Sequence, residues 1–370
     1  MTKRLLCTIV AFFSICAFNL VQAWSFKEHL QVTRMAAARI INDPTADPAL
    51  KAWLQQSIEV VSIEDERKFM VETTVGNDVE KSDWPGIMYF SLLPDINAAR
   101  GNKVLVEPFN QPERLMHFID LEYFHKDAPV GYKDDLSTLP PMDSIPHDRT
   151  CTIYNDAGFL PLSTELSYQQ LVESFREKRL VETEGDMNNA VRWAGYLSHY
   201  LADNTQPHHA TVDYKSVWYF EHNKKAPNIH NEVEWKLIDH PPIPNTKLRG
   251  ELFDLILKEL ETFKDPVVSN EPFRSTLEVS YASYRYLPLI GRAAKATWDP
   301  TKHKDTFDTA KFFQFSDDVD GKKTTVLEMK ARQLAWAVLR IERMFKQAWA
   351  EAQSPAKTPM TTQPTANPNP

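Results

Sequence analysis

The chain has 370 residues, with 42 basic against 50 acidic side chains and only 10 glycines. That length is ample for a large buried core. The acidic balance, without clustered Lys and Arg, speaks against a partner held by broad phosphate neutralisation. Residues 1–23 read as a cleavable secretory signal: Lys3 and Arg4 precede an apolar run from Leu5 to Leu20, and Val21-Gln22-Ala23 offers small residues at the cleavage positions. The run is short for a membrane span, so removal after Ala23 is expected and the protein is secreted or periplasmic. Without Lys3 and Arg4 the balance becomes 40 against 50, a net charge of −10. Cys7 and Cys16 leave with the signal, so Cys151 alone remains. An intrachain disulfide is then impossible, and the exported fold must rest on core burial and metal.

The mature chain begins at Trp24. A freshly exposed α-amino group has a pKa of about 7.7 to 8.0, so it can lose its proton and coordinate a metal, with its own carbonyl closing the chelate. Further along, residues 126–163 carry Pro129, Pro140, Pro141, Pro146 and Pro161 among Asp, Ser and Gly, and read as a long loop over the domain. Apolar residues at three- and four-residue spacing predict helices over Ala190–Leu201, Glu251–Phe263, Val279–Ala296 and Met329–Ala352. Strand-like alternation is rare, so the fold class is all-α, a single helical domain over 24–353. Residues 354–370 form a Pro/Thr/Asn-rich tail expected to be disordered. No internal repeat or appended β-sandwich is apparent.

Five candidate metal ligands fall in two short runs, His199-Tyr-Leu-Ala-Asp203-Asn-Thr-Gln-Pro-His-His209 and His230-Asn-Glu-Val-Glu234. Histidine and carboxylate four apart on a helix share one face about a turn apart, the geometry with which a cation collects two side chains. Two such pairs and an extra histidine imply more than one ion, and imidazole with carboxylate suits zinc. Pro207 should end or kink the helix after Asp203 and turn His209 toward a neighbouring ion. Either Asn228 or Asn231 can cap the helix bearing Glu234. His208 adjoins His209 but points away from it, and His125, His147, His222, His240 and His303 have no partner at useful spacing.

These pieces resemble the superfamily of zinc-dependent phospholipase C and the S1/P1 nucleases. Trp24-Ser-Phe-Lys-Glu-His29 looks like the mature start with its first histidine, and Glu113-Arg-Leu-Met-His117 like the segment carrying the second. The run from His199 to His209 resembles the family's His-x3-Asp-x5-His motif, Gln-Pro pair included, and His230 with Glu234 resembles the closing pair. The resemblance covers residues 24 to 234 and implies three zinc ions. Asp203 would bridge two of them; Trp24, His29, His117, His199 and an intermediate aspartate would complete that pair; His209, His230 and Glu234 would hold the third. For the intermediate aspartate, Asp78, Asp83 and Asp95 compete. Asp83, at a loop in Glu80-Lys-Ser-Asp83-Trp-Pro, is favoured and would also be the general base.

The chemistry so implied is in-line attack on phosphorus by a zinc-activated water. Substrate choice divides the family. His209-Ala210-Thr211 and the closing Glu234 look like the phospholipase members, which points to phospholipid at membrane surfaces, its glycerol-side bond being cut. His117-Phe-Ile-Asp120 is nuclease-like, so a single-strand nuclease with 3′-nucleotidase activity, with nucleic acid as partner, is the alternative. An exported zinc-binding protein without catalysis is a third reading. Aromatic faces could hold a choline headgroup by cation–π attraction, and no obligate protein partner is inferred.

Overall fold

The computed structural model describes residues 24–75, 79–126, 139–183, 188–220, 227–239, 246–299, 301 and 307–355. The expected signal, Asp78, much of the Pro-rich loop and all but the first two residues of the tail lie outside them, as do His222, His240 and His303. The fold is all-α. In chain order come α1 (Phe26–Asn42), α2 (Pro48–Ser57), α3 (Ile63–Glu72), α4 (Ile87–Ala99), the short α5 (Tyr154–Ala157), α6 (Leu160–Arg176), α7 (Ala190–Asn204), α8 (Ile229–Asn231), α9 (Thr246–Thr262), α10 (Pro272–Tyr284), α11 (Leu287–Thr297), α12 (Thr309–Gln314) and α13 (Val326–Gln353).

Local chemistry sets the helix starts. Ser25 caps α1 in a reciprocal box with Glu28, Asn189 accepts from the Arg192 N–H at the head of α7, and Thr325 boxes with Glu328 at the head of α13. Helix α7 is the centre: it packs against α4, α6, α13 and α1, and only two of its side chains reach the half-buried range. Helix α13 closes the bundle over α9, α1 and α6. One contiguous apolar core runs through these helices, including Trp24, Phe90, Leu197, Leu201, Phe312 and Phe345.

Three sequence expectations are revised. The pattern over 279–296 forms two helices, because Pro288 stands in the first turn of α11, where it has no N–H to return to Tyr284. The Pro-rich region ends earlier than 163: α6 already begins at Leu160, with Pro161 in its first turn, where a missing N–H costs nothing. Two small antiparallel ribbons accompany the helices, β1 (Leu105–Val106) with β2 (Gln111–Pro112) and β3 (Ser316–Val319) with β4 (Lys322–Thr325). The second turns on Asp320-Gly321, both at positive φ, the geometry of a tight two-residue hairpin.

Gly195 sets the distance between α4 and α7. A Cβ there would stand 2.3 Å from the Phe90 Cβ and 2.8 Å from the Ser91 nitrogen. Gly195→Ala should therefore force the two helices apart and cost about 1–3 kcal/mol, as overpacking does. Chemical denaturation of wild type and variant side by side checks this; equal midpoints would mean that the interface yields without cost.

Candidate metal centre

Two groups of histidine and carboxylate side chains meet at the C-terminal half of α7. In the first, α1 supplies His29, α4 supplies Asp95, the turn after Glu113–Met116 supplies His117, and α7 supplies His199 and Asp203; all five are buried. Asp203 faces imidazoles on both oxygens: His29 Nε2 lies 3.3 Å from Oδ1, while His117 Nδ1 and His199 Nε2 lie 2.9 and 3.2 Å from Oδ2. Asp95 approaches the same three rings, at 3.5 Å from His117 Nδ1 and 3.8 Å from His29 Nε2 and His199 Nε2. His199 Nε2 and His117 Nδ1 are 3.1 Å apart.

The second group joins His209, on the 3-10 turn Pro207–Ala210, to His230 in α8 and Glu234 in the π-helical turn that follows, Glu232–Lys236. Helix α7 ends at Asn204, and the turn begun by Pro207 swings His209 across. Its Nε2 lies 3.3 Å from His230 Nε2 and 3.5 Å from Glu234 Oε1, and His230 Nε2 contacts the same Oε1. Gln206 fixes that carboxylate by donating its Nε2 to Oε1 at 2.7 Å. Asn228 stands at the head of α8, although its side chain makes no cap bond.

The tautomers are set from behind. His199 Nδ1 donates to the Ser91 carbonyl at 2.7 Å and His209 Nδ1 to the His117 carbonyl at 2.6 Å, so each presents a bare Nε2 to its group. Burial pushes the His199 pKa down, against the upward pull of the Asp203 carboxylate beside it. Burial alone would raise Asp203, but the imidazoles of His199, His117 and His29 outweigh it and hold the carboxyl well below the usual range. His199 Nε2 stands 3.2 Å from Asp203 Oδ2 and 3.1 Å from His117 Nδ1, with all three side chains buried. Burial likewise pushes Glu234 up to about 8, so its ionisation at neutral pH calls for positive charge beside it.

A divalent cation answers this arrangement. Tetrahedral zinc with bonds of about 2.0–2.2 Å sets its ligands about 3.3 Å apart, close to the spacings found among these atoms. Three sets of side chains place their ligand atoms within 4.8 Å of one another: His29, His199 and Asp203; Asp95, His117 and His199; His209, His230 and Glu234. His117 Nε2 and His29 Nδ1, on the outer sides of their rings, are buried without a hydrogen-bond partner.

Of the expected ligands, the structure gathers His29, His117, His199 and Asp203 in one group and His209, His230 and Glu234 in the other. Trp24 is fully buried beside them, its indole Nε1 donating to the Ala202 carbonyl at 2.9 Å and to Thr205 Oγ1 at 3.3 Å. Asp83 does not join. It sits on an exposed turn, where its carboxylate accepts from the Glu80 N–H at 3.4 Å, and Asp95 occupies the place expected for it. A loop setting suggested Asp83; the better signal was a lone acid within the apolar run Ile87–Ala99, which cannot be buried without compensation. His208 is buried but faces away, its Nε2 against Ser216 Oγ at 2.9 Å. His147 is exposed and pairs with Glu165.

No family model and no curated protein matches this chain. Among solved structures, the alpha-toxin of Clostridium perfringens, isolated from an avian strain, is similar over 87% of this chain, with 11% identity and a TM-score of 0.36. The chain spans 64% of that protein's length.

Asp203→Asn and Asp95→Asn should each lower bound zinc, measured by elemental analysis after metal-replete purification, whereas Asp83→Asn and His208→Ala should leave it at the wild-type level. Loss of zinc from the Asp83 variant and not from the Asp95 variant would reverse the assignment.

Proposed function

We propose that the protein is an exported zinc-dependent phosphodiester hydrolase of the phospholipase C type, carrying three zinc ions and cutting the glycerol-side phosphodiester bond of phospholipids. The observation that carries this reading is the convergence of His29, Asp95, His117, His199 and Asp203, and beside them of His209, His230 and Glu234, in two adjoining buried groups of imidazole and carboxylate. Zinc bound there supplies a water of lowered pKa and positive charge to neutralise the phosphoryl oxygens. In this reading Asp203 would be a ligand shared by two ions. Trp24, His29, Asp95, His117 and His199 complete that pair, and His209, His230 and Glu234 hold the third. Asp95, rather than Asp83, is the aspartate in position to take a proton from the attacking water.

The main chain ties the two groups together, since the Ile119 N–H donates to the His209 carbonyl at 2.8 Å while His209 Nδ1 donates to that of His117. The His117 and His209 segments are therefore held in register, and ions bound by the two groups would be positioned together as a clamp on one phosphoryl group requires. Export rests on residues 1–23, and removal after Ala23 would free the Trp24 amine for coordination.

Phospholipid is favoured by Ala210 and Thr211 after the third histidine, by Glu234 as the closing carboxylate and by the acidic balance of the chain. The nuclease reading keeps one specific support, the segment His117-Phe-Ile-Asp120, whose Asp120 is buried, with burial and Glu122 raising its carboxyl well above the usual range. Phosphatidylcholine vesicles, single-stranded DNA and a 3′-nucleotide, offered to the zinc-loaded mature protein in parallel, separate the readings. Release of phosphocholine with little nucleotide product is expected. Preferential cleavage of DNA or the 3′-nucleotide would replace phospholipase by nuclease, and no turnover of any of the three would leave a zinc-binding protein without catalysis.

A further inference from the structure

Helix α13 contributes no expected ligand, yet it sends a fully buried lysine toward the metal centre. Lys330 Nζ lies 2.6 Å from Glu28 Oε1, and both side chains are wholly shielded from solvent. The same ammonium donates to the carbonyl of Val233 at 2.5 Å and of Glu234 at 3.2 Å, and stands 4.7 Å from the centre of the Trp24 ring. Every one of these partners belongs to one of two segments. Trp24 and Glu28 lie on the stretch that delivers His29; Val233 and Glu234 lie on the turn that delivers the last carboxylate.

Energetics argue against a purely stabilising role. Withdrawing two charges from water costs several kcal/mol per ion, and replacement of a buried pair by apolar groups of similar volume is often neutral or favourable for stability. What such a pair supplies is direction. The ammonium donates to two carbonyls on one segment and forms an ion pair with Glu28 on the other, so the position of one segment is tied to that of the other. Glu28 is itself held from the far side, since its Oε2 accepts from the Ser25 N–H at 3.0 Å within the cap of α1. The main chain next to Trp24 is thus bound through Glu28 to Lys330, and through Lys330 to the backbone of Glu234.

We propose that Lys330 is a positioning residue for the metal centre: it locks the Trp24–His29 segment and the His230–Glu234 turn into one frame, so that both metal-ligating groups keep their geometry together. It touches none of the reacting atoms. This rests on the zinc reading above and adds to it a fifth helix on which the site depends. Losses of about 10- to 100-fold in metal affinity are typical when a group supporting the ligands is removed, and here both groups should weaken, because one ammonium serves both.

The test uses the mature full-length protein and zinc competition against a chromophoric chelator, with a folding readout beside it. The double change Glu28→Gln with Lys330→Met removes the charge pair as a unit and leaves no uncompensated buried ion. Its far-ultraviolet circular dichroism should match wild type, while zinc affinity falls by about 10- to 100-fold and fewer ions remain after dialysis. Glu28→Gln alone keeps the Lys330 bonds to Val233 and Glu234 and should lose less affinity than the double variant; it also serves if the double variant does not fold. Arg340→Met removes another buried cation of the same helix, one bonded to Ser275, and should leave zinc affinity unchanged. Wild-type zinc affinity in a folded double variant, or in Glu28→Gln where the double variant cannot be made, overturns the role of Lys330 while leaving the metal reading intact. A wild-type protein that binds no zinc overturns both.

Discussion

The structure depends on a crowd of hydrogen-bond acceptors kept away from water. At the end of α7, ring nitrogens and carboxylate oxygens of five side chains from four separate segments approach to between 2.9 and 3.8 Å, all within the buried interior. His199 and His209 each turn Nδ1 to a carbonyl behind the ring, which leaves Nε2 as the atom facing its group. Polar groups packed so closely in a medium of low dielectric call for compensating charge, and a bound cation is the compensation that the zinc reading proposes. Stability of the fold and occupancy of the site are in this sense a single problem.

The helices solve the geometric half of it. Gly195 lets α4 come close enough for Ser91 to orient His199 and for Asp95 to reach the group. Pro207 stops α7 and turns His209 toward α8. The segment beginning at Trp24 is drawn inward, the Trp24 indole bonding to the last turn of α7 and its ring lying beneath Lys330. Each of these is a backbone or packing device remote from the chemistry, and together they hold donor atoms at the spacing that a tetrahedral ion demands.

Much of this was legible in the sequence because the governing signals are local. The four-residue spacings of His199 with Asp203 and of His230 with Glu234 are properties of one helical turn, and the apolar periods of α7 and α13 are strong. What escaped was decided by tertiary packing. Asp95 stands alone in an apolar run, a signal that the loop setting of Asp83 outweighed, and the burial of α4 against α7 brings it to the group. Lys330 reads as the solvated face of an amphipathic helix until the amino-terminal segment is laid over it. The break between α10 and α11 and the Asp320-Gly321 hairpin carried readable signals, a proline and a turn dipeptide, that the apolar periodicity around them outweighed.

The central claim is that positive charge sits among these side chains as discrete zinc ions. Crystals of the mature protein grown with zinc, with diffraction data collected above and below the zinc absorption edge, address it directly. The account predicts strong anomalous peaks among His29, Asp95, His117, His199 and Asp203 and a further one among His209, His230 and Glu234, three in all. A map with no peak at either group, from crystals in which zinc is otherwise present, would contradict it.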